Sequence, residues 1–254
     1  MVRLIAGRKQ ETMTSESAIN LAAPIVPQII QELRQAIVEM RLKPGEALSE
    51  KEVAARYGIS RQPVREAFIK LAEAGLVQIL PSRGTFVVRI SVRDVLNARF
   101  LREAIECALA RTAAAVVRPD DIERLDHILA EQSDAEASGD AARFYELDEA
   151  FHRALAEICE CDSALRVVEG ARAQMDRVRF LSLPEATPIA ALIAQHRTIV
   201  AALECGDGEA AEAAMRGHLR EILSALPRLA ERFPDLFEST DTPAHARVVG
   251  GRER

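Results

Sequence analysis

Chemistry in this sequence gathers in two places. Of the five histidines in 254 residues, three stand in helical contexts: Phe151-His152, Gln195-His196-Arg197 and Gly217-His218-Leu219. Asp148 precedes His152 by four residues, so on a helix both project from one face. One carboxylate and three imidazoles form a ligand set suited to zinc or another borderline transition ion. With four protein ligands, an octahedral ion would keep positions open for water or a ligand oxygen. Taken singly, each histidine also reads as a hydrogen-bonded core residue. Spacing alone does not bring His196 and His218 to His152; their convergence is an expectation from helix packing. His127 and His245 receive no role.

The second place is Ser60-Arg61-Gln62-Pro63-Val64-Arg65. Arg61 and Arg65, four apart, share a helix face. An Arg can pair bidentately with guanine and a Gln with adenine, so the open end of such a helix can read base edges in a major groove. Each Arg alone could be a solvated surface charge; its surroundings argue otherwise. Ser49-Glu50-Lys51-Glu52 reads as a capping box opening a short helix that stops at Gly58. Ser60 then stands as the cap of a second helix, with Pro63 tolerated in its first turn. Two helices joined by a Gly-centred turn form the helix-turn-helix pattern. Beyond them, Leu76 to Leu80 and Thr85 to Val88 are β-rich runs joined by Pro81-Ser82-Arg83-Gly84. That hairpin offers a cation and a glycine for close approach to a phosphate or the minor groove.

The remaining elements must hold these groups in place. Ile30, Leu33, Ile37 and Met40 keep helical spacing ahead of the helix-turn-helix. From about Asp94 to Arg232 the chain reads as helix, interrupted near Pro119, Gly139, Asp162, Pro184 and Gly206. The predicted fold is mainly α: an N-terminal winged helix-turn-helix, then an all-α antiparallel bundle of six (or seven) helices. The expected boundaries are a flexible tail over 1–23, a DNA-binding domain over 24–90, the helical domain over 91–233 and a disordered tail over 234–254.

Charge divides along the same line. Residues 1–90 carry thirteen Lys or Arg against nine Asp or Glu, whereas the rest carries twenty against thirty. A mildly basic head on an acidic body suits a protein whose head alone meets a polyanion. No run approaches the roughly 18 to 20 apolar residues that span a bilayer, and no signal-peptide pattern opens the chain. It is therefore read as cytoplasmic, with no membrane partner. The four cysteines are read as small buried thiols rather than a disulfide framework or a metal pair.

Gly45-Glu46-Ala47-Leu48-Ser49-Glu50, Tyr57 to Ala67, Gly75-Leu76-Val77 and Arg83-Gly84-Thr85-Phe86-Val87 together resemble the DNA-binding domain of the GntR family of repressors. The resemblance implies that Lys51, Ser60, Arg61, Gln62, Pro63, Arg65 and Gly84 meet double-stranded DNA; Arg83 is added here as a phosphate contact. Phe100 to Glu106, Leu147 to His152, His196-Arg197 and Met215 to Leu219 are similar to the FCD effector domain of the FadR-type subfamily. In its metal-binding members the positions matching Asp148, His152, His196 and His218 hold a divalent ion, usually zinc or nickel. The position matching Arg102 pairs with an organic acid. This metal set argues against an acyl-CoA effector, and six helices point to the VanR-like branch.

The expected protein is a homodimeric repressor on an inverted-repeat operator, controlled by a small carboxylate effector at a metal-containing site. Besides a purely structural ion that only stiffens the bundle, two alternatives stand beside it. One is a metal-sensing repressor in which the ion is the signal. The other is a zinc-dependent hydrolase, which would need a general base beside the metal; Asp148 is already a ligand and no other candidate is identifiable. The chain is accordingly read as not an enzyme.

Overall fold

The computed structural model describes residues 19–20, 22–171, 173–182 and 188–238. Of the tails expected over 1–23 and 234–254, residues 1–18, 21 and 239–254 lie outside the described residues. The chain divides between Val88 and Arg89 into two compact units.

The first unit holds α1 (Ile25–Val38), β1 (Ala47–Leu48), α2 (Glu50–Tyr57), α3 (Arg61–Glu73), β2 (Val77–Leu80) and β3 (Gly84–Val87). Ile29, Leu33 and Ile37 of α1 are buried, as are Val64, Ala67, Phe68 and Leu71 of α3. Each large aliphatic or aromatic side chain so buried contributes about 1.5–3 kcal/mol. Ser49 caps α2 by accepting from the Glu52 amide at 3.3 Å. Gly58 ends it at φ +65°, the left-handed conformation that turns the chain toward α3. Ser60 precedes α3 in extended conformation, but its side chain accepts no amide hydrogen. The expected serine cap is therefore absent, and the first amides of α3 lack a side-chain acceptor from that residue. β2 and β3 pair antiparallel with Val77 opposite Val87 and Leu80 opposite Gly84, and β1 joins the far edge of β3. This is a winged helix-turn-helix.

The second unit is helical: α4 (Val92–Val116), α5 (Pro119–Ser138), α6 (Ala141–Ile158), α7 (Asp162–Ala171), α8 (Ala173–Ser182), α9 (Ile189–Glu204), α10 (Gly208–Arg220) and α11 (Ile222–Arg232). The breaks near Pro119, Gly139, Asp162 and Gly206 fall where the sequence placed them, and the one expected at Pro184 lies outside the described residues. The last of the six expected stretches is divided at Glu221. Asp140 and Asp207 cap α6 and α10 through the amides of Arg143 and Ala210. Leu125, Phe144, Leu147, Phe151, Ile193 and Leu203 anchor one core across α5, α6 and α9. At Gly208 a Cβ would stand 3.0 Å from the Arg111 carbonyl, so a larger residue would push the start of α10 and α4 apart by a few tenths of an ångström.

Residues 234–238, expected as the start of the tail, are structured. Pro234–Leu236 form a 3-10 turn and Phe237 is buried. The Ile90 amide donates to Leu236 O at 2.8 Å, and the Glu238 amide donates to Ile90 O at 2.9 Å. A single aromatic held by a short backbone pairing leaves no periodic signal. Among the cysteines only Cys107 is buried, and Cys205 is exposed; all four are free. No helix among the described residues is long and apolar enough to cross a membrane.

Candidate metal centre and DNA-binding face

Three helices converge on one buried point. α6 presents Asp148 and His152, α9 presents His196 and α10 presents His218, all four buried, with one ligand atom from each within 4.8 Å of the others. His218 Nε2 lies 3.2 Å from His152 Nε2 and 3.3 Å from His196 Nε2. Asp148 Oδ1 is 3.6 Å from His196 Nε2, and its Oδ2 is 3.9 Å from His152 Nε2.

The other nitrogen of each ring faces an oxygen. His196 Nδ1 stands 3.0 Å from Gln132 Oε1 of α5, His218 Nδ1 is 2.9 Å from Gln195 Oε1, and His152 Nδ1 is 2.5 Å from Glu106 Oε2 of α4. The first two contacts are hydrogen bonds and place the proton of His196 and His218 on Nδ1; His152 Nδ1 is close to the carboxylate without the alignment of a hydrogen bond, and we assign its proton to Nδ1 on the charge beside it. Three Nε2 lone pairs then aim at one another, which is repulsive unless a cation lies between them.

The residues fit such an ion. Zinc–nitrogen bonds of roughly 2.0–2.1 Å give a tetrahedral ligand edge of about 3.3 Å, matching the imidazole spacings. Asp148 Oδ2, fully buried, accepts no hydrogen bond, as a carboxylate oxygen aimed at an ion would. Outer oxygens that orient each imidazole are the usual surroundings of metal-bound histidine.

Electrostatics keep the ligands in their binding forms. Burial depresses the imidazolium of His196 to about 3 and lowers those of His152 and His218 as well. Burial pushes the Asp148 carboxyl up, but Arg179 and the three surrounding imidazoles together outweigh it and hold Asp148 well below the usual range. Arg179 Nη2 of α8 lies 2.5 Å from Asp148 Oδ1. Phe151 stacks on His196 with ring centroids 4.2 Å apart, closing the site on that side.

Arg102 is buried on α4 and hydrogen-bonds Glu106 through Nε, with Nη2 3.3 Å from Glu106 Oε2. The structure thus joins Arg102 to the cluster through Glu106 and pairs it with a carboxylate of its own helix. The approach of Glu106 to His152, and the places of Gln132, Gln195 and Arg179, were missed in the sequence. The four-residue spacing of Arg102 and Glu106 was a visible signal; the other three come from partners that only packing brings near.

On the first unit Lys51, Ser60, Arg61, Gln62, Arg65, Arg83 and Gly84 are exposed, and Pro63 is half-buried. Arg61 and Arg65 keep 62% and 57% of their side-chain surface in solvent. Both nevertheless meet one acid. Arg61 Nη2 donates to Glu50 Oε2 at 2.8 Å, and Arg65 donates to both Glu50 oxygens at 2.9 and 3.2 Å. Gln62 Nε2 donates to Glu66 at 3.1 Å. Exposed ion pairs of this kind are weak and exchange readily with other anions.

Comparison with known proteins gives the same division. Residues 26–87 match the family model for bacterial regulatory proteins of the gntR family, and residues 98–221 match the FCD domain. The chain is 43% identical over 225 residues to the HTH-type transcriptional repressor RspR of Escherichia coli, covering 89% of this chain and 99% of that one. It is 31% identical over 201 residues to a probable D-xylose utilization operon transcriptional repressor of Paenarthrobacter nicotinovorans, covering 79% and 88%. Among solved structures, E. coli McbR/YncC superposes with a TM-score of 0.72 at 21% identity, over 81% of this chain and 98% of that one. A putative GntR regulator from Rhodococcus sp. RHA1 gives 0.67 at 25% identity, over 80% and 97%. Regulators of this kind bind DNA operators and are not enzymes. Matched over 89% of its length by a repressor at 43% identity and by family models in both units, the chain belongs to the GntR family of transcriptional regulators, in the group that carries an FCD domain.

Proposed function

We propose that this regulator is a homodimeric repressor whose grip on an inverted-repeat operator is set by a small organic acid at a divalent-ion site in its helical domain. Residues 24–90 form the DNA-binding domain, and 91–233 the effector-binding and dimerisation domain. The observation that carries the reading is the convergence of three imidazole Nε2 atoms and an unpartnered Asp148 oxygen on one buried point. Asp148, His152, His196 and His218 hold the ion, zinc or nickel by the donor set. When bound it would supply a fixed positive charge, and an ion of more than four-fold coordination would leave a position for a carboxylate oxygen. Arg102 reads that carboxylate, leaving Glu106 to do so.

In the head, Arg61 and Arg65 read bases with Gln62, while Lys51, Arg83 and Gly84 fix register on phosphates. Ser60 and Pro63 border the α3 N-terminus, whose amides suit a phosphate oxygen. The effector acts only through different affinities for the DNA-competent and DNA-incompetent states.

A second reading has its own support. Arg102 is already paired with Glu106, which favours a repressor that senses the ion itself. Elemental analysis of the purified protein, with operator binding measured with and without chelator and with a panel of small organic acids, separates the two. Near-stoichiometric metal and acid-dependent release from DNA are expected. Metal-dependent binding indifferent to every acid would favour the sensor, and a metal-free protein that responds to acids would overturn both.

A further inference from the structure

Of the three imidazoles in the cluster, two are oriented by neutral amides, Gln132 and Gln195. Only His152 faces a carboxylate, that of Glu106 at 2.5 Å. That same carboxylate takes Arg102 on its other side, with contacts to both oxygens. Arg102, Glu106 and His152 are all at most 4% exposed, so water does not screen the contacts. The unbroken sequence runs from Arg102 of α4 through Glu106 to His152 and on to His218, whose Nε2 is 3.2 Å away.

Resting on the metal-site reading above, we infer that Glu106 is a positioning residue shared between Arg102 and His152, which links the state of Arg102 to the strength of metal binding. A carboxylate charge held against Nδ1 makes Nε2 a stronger ligand than a neutral amide does. A guanidinium on the same carboxylate draws its charge away from the imidazole. Whatever takes Arg102 off Glu106, such as an organic anion, therefore returns that charge to His152 and tightens the ion. By reciprocity the bound ion tightens the anion by the same factor. In this arrangement Arg102 and the metal do not act on an effector independently; Glu106 couples them.

The experiment is a double-mutant cycle on the full-length protein, reading zinc affinity by competition with a chromophoric chelator. E106Q is expected to weaken zinc binding about tenfold. R102Q is expected to tighten zinc severalfold, an outcome opposite in sign to loss of a merely structural contact. In the E106Q background the R102Q change should have less than about a twofold effect, because its route is gone. Should R102Q alone fail to fold, E106Q and the R102Q/E106Q protein suffice; they should bind zinc equally, both about tenfold weaker than wild type. E106Q at wild-type affinity, or an R102Q effect equal in both backgrounds, would overturn the link while leaving the metal site standing. A wild-type protein that takes up no zinc would instead overturn the site itself.

Discussion

Arg65 donates from Nε to Glu50 Oε1 across 2.9 Å, so the second arginine of the recognition helix is held by the helix before it. Arg61 joins the same carboxylate. The hydrogen bond from Arg65 holds the Glu50 carboxyl below its usual range, so it stays charged on the proposed DNA-facing surface. Glu50 both aims the two guanidiniums and repels a phosphate backbone. Changing Glu50→Gln is expected to raise binding to random DNA severalfold at low salt while reducing the preference for the operator. Fluorescence anisotropy on both DNAs over a salt series checks this; identical discrimination in the variant would remove Glu50 from recognition.

Arg65→Ala is expected to weaken operator binding roughly tenfold to a hundredfold, the range for one lost bidentate base contact. A uniform loss across sequences, with a shallower salt dependence, would identify Arg65 as a phosphate contact instead.

His196→Ala removes one converging Nε2 and leaves Gln132 without its partner. Metal content should fall to background after dialysis against a mild chelator, with the helical far-UV signal kept. Retained stoichiometric metal would exclude His196 as a ligand.

The buried imidazoles make the metal-free protein sensitive to acid. An unfolded histidine takes a proton near 6.5, whereas burial holds His196 to about 3 and also lowers His152 and His218. Between those limits the unfolded chain binds more protons, so stability is complete above about pH 6.5 and falls as pH drops below it. The slope is about 1.4 kcal/mol per pH unit for each such imidazole. Asp148 and Glu106, whose depressed carboxyls act below about pH 4, add to the loss in the same direction. Urea midpoints should be level down to about pH 7 and then decline toward about pH 4. Level midpoints throughout would mean that the rings protonate freely in the folded protein.

Glu103 gathers three guanidiniums: Arg99 of its own helix, Arg216 at 2.7 Å and Arg220 at 2.5 Å from α10. Burial pushes its carboxyl up, but the hydrogen bonds from Arg220 and Arg216 outweigh that and keep it charged. Glu103→Gln would leave the buried Arg99 without its counter-ion. We expect a loss of about 3 kcal/mol, the low end for a broken buried pair because Arg216 and Arg220 reach water. A thermal melt checks it; an unchanged midpoint would show that the network contributes nothing net.

Much of this could be read residue by residue. The Ser49 cap, the Gly58 turn and the apolar stripe Val64-Ala67-Phe68-Leu71 are local features, set by propensity and periodicity within one or two turns. The pairing of Asp148 with His152 is likewise a property of four-residue spacing. Phe237 was misread as tail because its partner, Ile90, lies far away in sequence and gives no local sign.

Helix placement, the wing and the chemical types of the ligands were determined by the sequence alone, because short-range sterics and hydrophobic period encode them. Only the tertiary structure decided that His196 and His218 meet His152, that Glu106 stands between Arg102 and that ring, and that Glu50 clasps Arg61 and Arg65. Those contacts join residues from different helices, and side-chain packing between helices has no period in the chain to announce it.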